Sequence, residues 1–153
     1  MACEFSNNAV QTVNPGESVI FTQSPVPCNQ GLVRHRDDTG SFLIAGKVRR
    51  CSCGCCPKTA NYLVDFGANI AIPTGGTVEA ISLAIALDGS TIPTTEMTVT
   101  PAAVEQYFNV SDATIVQIWA GCCESLTVRN ISDQPILVQN ANIIFDRADG
   151  YQM

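Results

Sequence analysis

The chain is short of charge, of histidine and of long apolar runs. Asp, Glu, Lys and Arg make up 14% of its 153 residues, where soluble domains usually carry about 25%. Eight Lys and Arg stand against fourteen Asp and Glu, for a net charge of −6. No basic run is longer than Arg49–Arg50. Phosphate backbones need clustered Lys and Arg to displace counterions, so no nucleic-acid partner is expected. No stretch approaches the ~18–20 apolar residues of a membrane-spanning helix, so no membrane partner is expected either. The opening residues, MACEFSNNAV, lack the basic start, apolar centre and cleavage site of a secretory leader. The expectation is synthesis in the cytoplasm without a signal peptide. The sequons at Asn109 and Asn130 then read as coincidence.

Scarce histidine limits catalysis. A nucleophile needs a neighbouring base and a group to orient that base. With one histidine in the chain, any Ser-His-Asp or Cys-His site would have to use His35. Flanked by Arg34 and Arg36, His35 reads instead as a surface or interface residue. Neither a G-x-S-x-G elbow nor a phosphate-cradling P-loop is present. Asp37-Asp38 reads as a turn, and Glu79, Glu96 and Glu105 have no spacing of a paired acid and base. No catalytic residue, no cofactor-binding residue and no enzymatic activity is expected.

What is present is alternation. Helical periodicity is nearly missing, while a period of two recurs. In TVEAISLAIALD, Val78, Ala80, Ser82, Ala84 and Ala86 share one face, and Glu79, Ile81, Leu83, Ile85 and Leu87 the other. Large aliphatics opposite small residues indicate a strand covered on both sides, with another layer close to the Ala/Ser face. Further strands are expected over residues 18–22, 31–36, 41–48, 60–72, 114–119, 125–130 and 135–145, each bounded by turn-formers. Residues 101–108, with Thr100 as cap, are the one helical candidate. Many short strands without crossover helices predict an all-β sandwich or barrel. Residues 1–8 read as a flexible N-terminal arm, and residues 9–153 as one domain with a cysteine-rich hairpin loop at 49–59.

The order of these segments resembles the tumour-necrosis-factor-like jelly roll, the family of complement globular heads and collagen-like spore-surface proteins. Gly40-Ser41-Phe42 matches the Gly-x-Phe/Tyr element that starts a core strand, and Asp88-Gly89 matches a hairpin tip. Ala120-Gly121-Cys122 stands where a strand ends in Gly plus a polar residue, with Cys where Asp is usual. Ile136 to Phe145 matches the closing apolar strand. The resemblance implies a jelly-roll β-sandwich, a homotrimer, and a trimer core drawn from Ile136, Val138, Ile143 and Phe145. No Gly-x-y collagen stalk precedes it. Compact relatives of this kind include phage capsid decoration and head-fibre domains. The function so implied is a non-enzymatic display protein on a virion or other particle surface, or alternatively on a spore. Its partners would be itself, a capsid or coat protein reached through the N-terminal arm, and surface glycans met by the loops at Asp88-Gly89 and Asp149-Gly150. Open sheet edges and a weakly charged surface favour a closed trimer on physical grounds as well.

The cysteines leave three readings open. Cys51, Cys53, Cys55 and Cys56 crowd into RRCSCGCCPK, and Cys3, Cys28, Cys122 and Cys123 complete a set of eight. All eight are disulfide candidates, with 105 pairings available. Adjacent pairs such as Cys122–Cys123 rarely bond to each other, so each is expected to reach elsewhere, with the 51–56 loop a natural partner of the 122–123 turn. Alternatively, Cys51, Cys53, Cys55 and Cys56 hold zinc or another soft metal, although the run is compact for a zinc knuckle. Inert surface thiols are the third reading. The metal reading carries its own function, a thiol or metal-binding module.

Overall fold

A computed structural model describes residues 1–49 and 57–149. Its strands are β1 (Ala2–Asn7), β2 (Gln11–Val13), β3 (Gln23–Val26), β4 (Val33–His35), β5 (Phe42–Gly46), β6 (Thr59–Ala71), β7 (Ile81–Leu87), β8 (Ser90–Thr91), β9 (Met97–Val99), β10 (Phe108–Trp119), β11 (Gly121–Asn130) and β12 (Ile136–Arg147). They form two sheets of six strands each. Sheet A runs β10-β6-β12-β1-β3, with β2 beside β12. Sheet B runs β4-β5-β11-β7-β8, with β9 beside β7. All pairings are antiparallel.

Two-residue alternation builds the core. Tyr62, Val64, Phe66, Ala68 and Ile70 of β6 point inward, as do Val110, Val116 and Ile118 of β10, and all are buried. Sheet B answers with Phe42, Ile44, Leu83, Ile85, Leu126 and Val128. Burying each large apolar side chain stabilises by about 1.5–3 kcal/mol. Phe42 is the centre of an aromatic cluster. Its ring lies 4.9 Å from those of Phe5 and Phe145 and 5.3 Å from that of Phe21. Within β7, Ala84 and Ala86 are as fully buried as Ile81, Leu83 and Ile85, while Val78 and Ala80, expected on the same face as the two alanines, precede the strand and are exposed. Ala84 lies opposite Arg129, and Ala86 opposite Thr127 and Thr91.

Four expectations need correction. Residues 1–8 are not a loose arm. Ala2–Asn7 is an inner strand of sheet A, paired with β12 from Ala2↔Asp146 to Asn7↔Ala141 and with β3 on its other side. Cys3 and Phe5 alternate into the core, and an attachment arm toward a capsid loses its basis. Secondly, Ile136, Val138, Ile143 and Phe145 are fully buried within the single chain. They fill the sandwich, not a contact between chains.

Thirdly, residues 101–108 are not helical. Glu105 takes a left-handed φ of 57°, and its N–H donates to the Ile72 carbonyl at 2.7 Å, so the segment turns back onto β6. The one helical turn among the described residues is a 3-10 turn at Pro93–Thr95. Lastly, residues 18–22 are extended but form no ladder. Val19 N–H donates to Val128 in sheet B, and Thr22 N–H to Ser6 in sheet A. The segment crosses between the sheets, burying Val19 and Phe21 on the way.

Candidate functional site

The outward face of sheet A follows directly from its registers. β10 presents Ser111, Ala113, Ile115, Gln117 and Trp119; β6 presents Asn61, Leu63, Asp65 and Gly67; β12 presents Asn142, Ile144 and Asp146. Ile115 lies opposite Leu63, Asp65 opposite Ala113 and Ile144, and Ser111 and Asn142 opposite Gly67. The result is a broad pleated face carrying apolar groups and two carboxylates. Ile115 is 60% exposed and Trp119 68%. Large apolar side chains held this far out on regular strands form a surface that water solvates poorly.

The described cysteines mark two places. Cys3 and Cys28 are bonded, with Cα atoms 4.9 Å apart, tying β1 to the segment after β3. Cys122 and Cys123 are bonded to each other, against the expectation that each would reach elsewhere. β11 explains it. A bulge between Gly121 and Glu124 breaks the pairing with β5, and Gly121 has a φ of 127°. The extra residue upsets the alternation that would send neighbouring side chains to opposite faces. Cys51, Cys53, Cys55 and Cys56 lie outside the described residues, as does Gly150 of the second candidate loop. Among the described residues no three His, Cys, Asp or Glu side chains gather as a metal site.

Beside the Cys122–Cys123 pair runs a groove of about 520 Å³ on the outer face of sheet B. Leu43, Ala45 and Val48 contribute its apolar surface, and Arg34 and Lys47 its charge. Nearby, burial first and the Asp88 charge second raise the Glu124 pKa. The Asp88-Gly89 tip is a tight hairpin turn, with Asp88 at φ 50°. Its carboxylate accepts from the Ser125 N–H at 2.8 Å, and Arg129 donates to the Gly89 carbonyl at 3.0 Å.

His35 lies at the surface but is not fully exposed. It is half-buried, stacks on Phe42 at 4.7 Å and hydrogen-bonds the Thr39 carbonyl through Nε2 at 2.8 Å. Asp37 and Asp38 sit in the turn expected of them, Asp38 with a φ of 57°. At the other end of β12, the Arg147 guanidinium lies 5.1 Å from the Tyr62 ring centroid and pairs with Asp149 at 2.8 Å. Sequence reasoning missed this buried cation. Its one clue was Arg147 continuing the inward parity of Ile143 and Phe145.

No protein-family model and no curated protein matches the chain. Solved structures do. An Eiger TNF from S. frugiperda superposes with a TM-score of 0.65 at 13% identity, covering 100% of this chain and 98% of that one. Murine APRIL gives 0.65 at 10% identity, covering 96% and 98%. The globular domain of a zebrafish complement 1qA protein gives 0.57 at 10% identity, covering 99% and 98%. At such identities the likeness is one of fold, and it spans the whole chain. The protein is a jelly-roll β-sandwich of the TNF-like, complement globular-head type.

Proposed function

We propose that this chain is a non-enzymatic, homotrimeric structural protein displayed on the surface of a particle, a phage virion in a capsid-decoration or head-fibre role. The observation that carries the reading is the outward face of sheet A, where Ile115, Leu63 and Trp119 are exposed on ordered strands. A second copy covering that face would remove apolar area worth roughly 25 cal/mol per Å². Closed rotational symmetry satisfies all copies at once without leaving a growing end. The Cys3–Cys28 disulfide supports the setting, since such bonds persist in oxidising surroundings. The outside of a released particle offers these, and a spore surface would do so equally. The hairpin tip at Asp88-Gly89 is then available for a receptor or a surface glycan.

Replacing Ile115 by Asp tests the assembly. The side chain is exposed in the single chain, so the fold tolerates the change, while a charge buried between copies would be unpaired. Light scattering should show a shift from trimer to monomer with an unchanged circular-dichroism spectrum. A variant that assembles as before would remove sheet A from the interface.

A further inference from the structure

We infer that the groove beside the Cys122–Cys123 disulfide is a binding site for an aromatic carboxylate. Register fixes its layout. Leu43, Ala45 and Lys47 follow one another on the outward side of β5 and just beyond it, and Arg34 of β4 lies directly opposite Leu43. On the other side β5 meets β11, whose bulge brings the Cys122–Cys123 pair to the groove wall. One end of the strip therefore carries a guanidinium, the middle is apolar, and a sulfur pair flanks it.

Each part points to the same ligand. Disulfide sulfur is soft and polarisable and packs favourably against aromatic rings. Leu43 is 41% exposed, so its side chain is open to a second surface. Among the described residues, neither the Arg34 guanidinium nor the Lys47 ammonium has a hydrogen-bond or ion-pair partner. Two unpaired cations on one groove stand out in a chain with eight Lys and Arg against fourteen acids. Strand rise puts Leu43 and Lys47 about 13 Å apart, too far for one carboxylate to join both ends directly. Arg34, whose fork matches a carboxylate in two parallel hydrogen bonds, is the anchor. Lys47 contributes attraction from the far end and a methylene stem along the apolar wall. A volume of about 520 Å³ suits a ligand of one or two rings.

Naphthoate is the probe, with naphthalene methanol as its neutral counterpart, titrated into the oxidised, isotope-labelled full chain and followed by amide chemical shifts. Saturable shifts are expected at Leu43, Ala45, Gly46 and Gly121 to Cys123, with naphthoate the tighter of the two. Arg34→Glu should weaken naphthoate roughly fivefold or more, and Lys47→Glu by less. Both side chains are exposed, so spectra of the variants report an intact fold. The double substitution Cys122→Ala with Cys123→Ala should weaken both probes alike, because it removes the ring contact and not the charge. Equal binding of the two probes, shifts confined to sheet A, or a larger loss from Lys47→Glu than from Arg34→Glu would each overturn the assignment.

Discussion

Single residues carry separable parts of the stability of the sandwich. Cys3 and Cys28 close a loop with a sequence separation of 25. Chain-entropy reasoning puts such a cross-link at about 3.5 kcal/mol. Replacing both by Ser should therefore cost ~2–4 kcal/mol in denaturant unfolding of the oxidised protein, and an unchanged midpoint would show the bond to be idle. Glu79 tests a different force. A hydrogen bond with Asp133, followed by that neighbour's charge, raises its pKa above the usual 4.5. The folded chain thus holds the Glu79 proton more tightly than the unfolded chain does. That contribution is fully present below the unfolded value and is lost as pH rises through the folded one. Glu79→Gln keeps a neutral hydrogen-bonding group at every pH. The variant should be at least as stable as the parent at pH 7, with the difference shrinking as pH falls toward 4. A difference that grows on acidification would contradict the pairing.

Elements were legible where a single period of two governed both faces. β7 is the clearest instance, with Ile81, Leu83 and Ile85 buried on one face and Ala84 and Ala86 on the other. β6 was expected over 60–72 and runs Thr59–Ala71. β1 escaped because its alternation, Cys3 and Phe5 inward, is short and ends in Asn-Asn, which reads equally as an arm. β12 shows a deeper limit. Periodicity finds the buried side of a strand but not what buries it, so Ile136, Val138, Ile143 and Phe145 passed for a contact between chains. The outward residues of β10, which fit that role better, look ordinary in sequence. The bulge of β11 was invisible for a similar reason, since nothing in AGCCES states that β5 approaches it closely. A Cβ added at Gly46 would collide with the Trp119 carbonyl oxygen and lie 2.9 Å from that of Gly121. Backbone cannot yield as a side chain does. Gly46→Ala should destabilise by several kcal/mol, at the far end of what one methyl group does. A thermal midpoint within a degree or two of the parent would show that β5 and the turn from β10 into β11 are not held this close.

At the scale of the molecule, the sandwich closes its own core and still leaves a large, weakly charged face uncovered. Two facing sheets bury the aromatic cluster without help from another chain, so assembly is not needed to complete the core. Sheet A is different, with Ile115 and Trp119 standing out from ladders that run almost the full length of β6 and β10. The proposed trimer would cover that face and leave the sheet B groove and the Asp88-Gly89 tip outward. The most direct test is the mass of the wild-type protein in native mass spectrometry, taken at low micromolar concentration without reductant. The account predicts a species three times the 16.3 kDa chain, persisting on dilution. A single-chain mass throughout that range would contradict it.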